Sequence, residues 1–157
     1  MFGAIGELGV LSVGVHSDKP FLRLGSRLVS SEALNVIAKK TLPSDLVLVE
    51  EDFTVPYEDS EKTYNGIRIT LPKDISKVAD LYSGEFELLS LLLKDTTFAK
   101  AFDAVPFASK RMFEKVTGTK KLLNALRAGS STSHVIESWK QDAASFRIHR
   151  KKYLLYQ

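Results

Sequence analysis

Apolar residues recur at helical intervals along the last part of the chain. In Ser133–Tyr156 (SHVIESWKQDAASFRIHRKKYLLY), Val135, Ile136, Trp139, Ala143 and Phe146 fall at steps of 1, 3, 4 and 3. That spacing predicts one face of an amphipathic helix. Ser133 is its expected N-cap, since a hydroxyl can accept an unpaired N–H of the first turn. Arg147, Arg150, Lys151 and Lys152 crowd the far end, where positive charge suits the helix dipole. Tyr153-Leu154-Leu155-Tyr156 breaks the period and reads as a short strand.

Upstream the period changes. Val10–Val15 alternates among glycines and predicts a strand, followed by a loop at His16–Pro20 and a second strand at Phe21–Leu24. Ser30 or Ser31 is expected to cap a helix to about Lys40, with Leu34, Ile37 and Ala38 inward. Leu46–Val49 is continuously apolar and predicts a buried strand. Phe53–Tyr57, a polar loop at Glu58–Thr63, a turn at Asn65-Gly66 and an alternating strand at Ile67–Leu71 follow. Gly84–Lys94 is apolar on nearly every side and is expected to be the most buried helix. Residues 96–129 predict short helices divided by Pro106 and Gly118, with Thr119 capping the last and Gly129 ending it. Strands first and helices later predict an α+β fold in a single domain over residues 1–157: a small mixed sheet packed by helices, mainly helical toward its end, with a short terminal strand.

Composition agrees with a globular chain: 157 residues, 44% hydrophobic and 26% charged. The longest apolar run, Leu88–Leu93, is interrupted by Ser90 and is far too short to span a membrane. No signal peptide is visible, and without cysteine there are no disulfides or thiolate sites. The net charge of +3 conceals a division: residues 1–95 carry 10 Lys/Arg against 15 Asp/Glu, residues 96–157 carry 12 against 4. Two halves that face each other explain this better than an anion-binding tail does, because the basic residues are scattered over several predicted helices.

Few patterns point to chemistry. His16, His134 and His149 are scattered, without partners at ligand spacing, so no metal site is expected. No nucleophile elbow or phosphate-cradling glycine loop is present, and no cofactor is implied. Glu50-Glu51-Asp52 follows a predicted strand and offers paired carboxylates, although three adjacent acids commonly form a solvated loop. Ile148 interrupts the basic end, which argues against nucleic acid. Trp139 fits a core helix position better than a sugar-stacking platform.

One set of residues goes further. Gly118-Thr119, Leu122, Leu126, Gly129, Val135, Trp139, Phe146, Arg150 and Tyr153-Leu154-Leu155-Tyr156 resemble, in order and spacing, the C-terminal end of the NamZ-type exo-β-N-acetylmuramidases, bacterial peptidoglycan-degrading enzymes. Glu7, Ser12, Gly14, Pro20 and Phe21 hold the spacing of that family's E-G-x-N-x-S-x-G-R-G-T-x-x-P-F stretch. Phe53–Tyr57 and Tyr64–Ile69 resemble its F-x-P-x-F and C-x-G-V-x-I segments. Leu8, Val10, Val15 and His16 depart from the family's G, N, R and G, and Tyr64 replaces its cysteine, which removes an amide and a cation from the matched stretch.

The resemblance implies an auxiliary, cleft-forming and substrate-binding domain acting on peptidoglycan fragments. A muramyl sugar or muropeptide would be its ligand, and Glu7, Ser12, Tyr57 and Asn65 its candidate contacts. The family's catalytic glutamate lies in an N-terminal Rossmann-like half that nothing here matches, so no catalytic residue is assigned. That half, in the same or a separate polypeptide, is the implied partner. The chain is then either a fragment of a larger enzyme or a divergent stand-alone module. The Trp139 helix and its tail are expected to fold back as the closing wall of the sugar pocket, near Glu7 and Tyr57. The family is commonly exported, while this chain's compartment stays open. A non-enzymatic protein-interaction or glycan-binding module is the alternative.

Overall fold

A computed structural model describes residues 2–74 and 81–154. In chain order the elements are α1 (Gly3–Gly6), β1 (Arg23–Ser26), α2 (Ser31–Thr41), β2 (Val47–Glu50), β3 (Phe53–Tyr57), β4 (Ser60–Thr70), α3 (Leu81–Leu92), α4 (Thr96–Asp103), α5 (Phe107–Thr117), α6 (Lys121–Arg127) and α7 (Ser133–Arg150), followed by a 3₁₀ turn at Lys151–Tyr153. The architecture is α+β, as the pattern predicts, although the sheet is antiparallel throughout rather than mixed.

β4 organises the sheet. Its outer half pairs with β1 on one side and β2 on the other, and its first half pairs with β3. β2 and β3 keep one register along β4, Glu50 opposite Ile67 and Phe53 opposite Tyr64. The ladder is interrupted between them because the Gly66 N–H is taken by side chains, donating to Ser31 Oγ at 3.0 Å and Asp52 Oδ1 at 3.2 Å. Asn65-Gly66 is therefore mid-strand, and the hairpin turn falls at Glu58-Asp59, where Glu58 takes a φ of 51°. Phe53 explains the glycine. Its ring lies across the Gly25–Gly66 cross-strand pair, and a Cβ on either residue would meet Phe53 Cε1 at 2.7 Å.

Other expectations are corrected in the same physical terms. Val10–Val15 forms only an isolated bridge, Ser12 with Gly25, because Gly9 (φ 71°) and Gly14 (φ 69°) turn the chain out of extended conformation. The second strand starts two residues later than predicted, at Arg23. β2 is an edge strand rather than a buried one: Val47 is 57% exposed and only Leu46 before it is buried. The predicted tail strand is a 3₁₀ turn up to Tyr153, and Leu155 and Tyr156 lie outside the described residues.

The helices follow their signals closely. Ser30 caps α2 by accepting from Ala33 N, Asp95 caps α4, and Thr119 Oγ accepts from Lys121 N before α6. Gly118 closes α5 in the left-handed region, where glycine has no Cβ penalty. α3 carries much of the core, with Phe86, Leu88, Leu89 and Leu92 buried. Phe86 meets Phe113 and Trp139 edge-on at 6.1 and 6.2 Å. α7 contributes only its first turns. Val135 and Ile136 are buried and Trp139 is partly so, whereas every residue from Lys140 to Leu154 is exposed. Its first residue is Ser133, preceded by the buried Thr132, so the expected Ser133 cap sits one position inside. No helix among the described residues is long and apolar enough to cross a membrane.

Candidate functional site

The acidic triplet is fully engaged. Asn35 Nδ2 donates to Glu50 Oε1 at 2.8 Å, and Asp52 accepts from Ser31 Oγ and from Gly66 N. Glu51 sits between two arginines that face each other across β1 and β4, Arg23 opposite Arg68. Arg23 donates to Glu51 Oε1 (2.6 and 3.0 Å) and Arg68 to Oε2 (2.7 Å), while Asp18 accepts from the far side of Arg23. Two like charges directly opposite would repel, and this carboxylate holds them together. The hydrogen bonds from Arg23, then Arg68, keep the Glu51 pKa below the usual carboxylate range. Such a group is a poor general acid, and the three side chains tie α2 and the strands together.

Glu85 is the opposite case. It is 2% exposed within α3, neither oxygen finds a hydrogen-bond partner among the described residues, and burial pushes its pKa up to about 8. It lines neither of the large grooves. Its trace in the sequence is an acid on the apolar side of a leucine-rich helix, two residues before the exposed Glu87.

One of those grooves, about 520 Å³, lies beside the N-terminal loop. Leu8, Gly9 and Val10 form one wall, Arg27, Leu28, Lys62 and Tyr64 the sheet side, and the α4–α5 junction around Val105 and Pro106 the floor. Its charged lining residues are both cations, Arg27 and Lys62, with no carboxylate among the described residues that line it. None of the four candidate contacts lines it directly, yet each touches a segment that does. Glu7 is exposed and adjoins Leu8. Ser12 exchanges backbone hydrogen bonds with Gly25 at 2.8 and 2.9 Å, just before the Ser26–Leu28 turn. Asn65 Nδ2 donates to Val29 O at 3.3 Å, fixing the end of that turn. Tyr57 lies about 17 Å along β4 from Asn65 at strand rise, but the Lys62 ammonium lies over its ring. Arg27 lies beyond the predicted Phe21–Leu24 strand and Lys62 within the predicted Glu58–Thr63 loop, so no local pattern brings them together.

A second groove of about 520 Å³ runs between α3 and the Gly129–Ser133 loop, lined by Ser83, Glu87, Lys94 and Lys140 among others. Trp139 packs edge-on against Tyr82 and Phe86 and is a core residue. Beyond it α7 is exposed on all sides, so the helix does not close a pocket near Glu7 or Tyr57. No three His, Asp or Glu side chains among the described residues are grouped to hold a metal.

The family model for the exo-β-N-acetylmuramidase NamZ, C-terminal, matches residues 2–156. The chain belongs to this family. No curated protein matches it. Among solved structures it resembles a DUF1343 family protein from Bacteroides fragilis, with 24% identity and a TM-score of 0.78 over 99% of this chain, a likeness that shows the fold. The chain spans 40% of the length of that solved chain. As a NamZ C-terminal domain it carries Leu8 and Val10 on the groove wall.

Proposed function

We propose that this chain is the substrate-holding half of a NamZ-type exo-β-N-acetylmuramidase, receiving a terminal muramyl sugar of a peptidoglycan fragment in the groove beside Leu8–Val10. One observation carries the reading. The loop bearing the matched Glu7–Ser12 segment packs beside two cations and an aromatic ring in a single concave surface. A muramyl ligand differs from other amino sugars by its lactyl carboxylate, and Arg27 with Lys62 supplies the charge to select it. Val10 and the exposed Leu28 would cover the apolar face of the sugar ring. Glu7, at the rim, would contact the ligand. Ser12 and Asn65 would hold the Arg27 turn, and Tyr57 would hold Lys62.

Hydrolysis of a glycoside needs two carboxyl groups about 5–10 Å apart. Among the described residues that line the groove there is none, in keeping with a catalytic glutamate supplied by the family's other half. The test is calorimetric titration with N-acetylmuramic acid and with N-acetylglucosamine, which lacks the lactyl group. Preference for the muramyl sugar, reduced about tenfold or more in Arg27→Ala or Lys62→Ala, is expected from the worth of a charge-assisted hydrogen bond. Equal affinity for both sugars, or binding indifferent to both substitutions, would remove the assignment.

A further inference from the structure

We infer that the outer half of α7 is a docking face for the other half of a NamZ-type chain, gripped through Phe146 and the basic end Arg147–Lys152. The inference rests on the two-part reading above and names the surface that joins the parts. Val135, Ile136 and Trp139 lie on one stripe of α7 and are packed on the body of the domain. Ala143 and Phe146 continue that stripe four and seven residues beyond Trp139, since those steps return to the same helix face. Yet Phe146 is 64% exposed, Tyr153 is 74% exposed, and no residue after Trp139 up to Leu154 is buried. The apolar face thus runs out of an interface already formed and past the surface that covers it. A helix end of this kind gains little stability by itself, whereas a partner laid on the stripe would extend existing packing.

Charge decides among occupants. Residues 140–154 hold Lys140, Arg147, Arg150, Lys151 and Lys152 against Asp142 alone. Two copies of this segment placed side by side would repel, so a second copy is disfavoured and an acidic partner with an apolar strip is required. The family supplies a candidate, because the match is to a C-terminal region and more than half of the solved relative's chain lies outside the shared fold.

The test co-expresses the 157-residue chain with the part of the Bacteroides fragilis relative outside the matched region, and confirms by circular dichroism that both are folded. Expected results are a complex, hydrogen-exchange protection concentrated in residues 140–154, and affinity that falls with added salt. Phe146→Ser should weaken the complex about tenfold or more, and the double change Arg147→Ser with Arg150→Ser should weaken it and flatten its salt dependence. Muramyl-sugar binding by Phe146→Ser should equal that of the parent. Absence of a complex between folded partners overturns the inference, as does protection elsewhere with Phe146→Ser binding normally. So does self-association, or binding to phosphatidylglycerol vesicles, that takes the place of the complex. Loss of sugar selectivity with docking intact would instead defeat the groove reading alone.

Discussion

Two glutamates show how environment decides what a carboxyl group can do. Glu51 is ionised and clasped by Arg23 and Arg68. Its folded pKa lies below the ordinary 4.5, so its contribution is fully present above that value and is lost as pH falls through the lowered one. Because the side chain is 27% exposed, solvent screening limits the effect to about 1 kcal/mol or less. Glu51→Gln should melt at lower temperature at pH 7 and converge on the parent in strong acid. Glu85 runs the other way. Its folded pKa of about 8 lies above 4.5, so the unfolded chain ionises first and stability falls as pH rises between those values. A shift of this size corresponds to roughly 3–5 kcal/mol. Glu85→Gln, with no charge to bury, should match the parent near pH 5 and exceed it at pH 8 and above in thermal melts. A parent whose stability does not decline across that interval would show that Glu85 is compensated.

At the level of elements, legibility followed the range of the interactions. Helices specified by local signals, such as Ser30 before α2 or Thr119 and Gly118 around α6, lie where the pattern predicts. The sheet was read less well because its punctuation is tertiary. Asn65-Gly66 has good turn chemistry, but here the glycine makes room for the Phe53 ring, and the chain instead turns at Glu58-Asp59. The groove was legible only in part, since Leu8–Val10 lay in the matched segment while Arg27 and Lys62 reach it by sheet pairing. Gly66→Ala places a methyl 2.7 Å from Phe53 Cε1 and 2.9 Å from Leu24 O, and overpacking of this kind costs typically about 1–3 kcal/mol. Urea denaturation should show that loss, and pairing the change with Phe53→Leu should recover part of it. A neutral Gly66→Ala would mean that the ring moves aside freely.

Over the whole molecule, charge and chemistry are divided. Acidic residues dominate the sheet half, yet the groove lining there is cationic because the acids either are engaged with α2 and the β1–β4 arginines or do not line it. Glu85 is enclosed in α3, and the exposed carboxylates Glu7, Glu61 and Asp103 adjoin groove-lining residues without lining the groove themselves. Glycoside cleavage needs two carboxyl groups flanking the bond, and no carboxylate among the described residues lines this groove. The 157-residue chain by itself should therefore release no N-acetylmuramic acid from muropeptides above the buffer rate. Release should appear when the other half of a family chain is added, and then decline in Arg27→Ala through weaker substrate capture, seen as a raised KM with kcat little changed. The outcome that would reverse this reading is turnover by the chain alone that disappears in Glu7→Gln, since Glu7 would then act in the chemistry itself and the groove would be a complete active site.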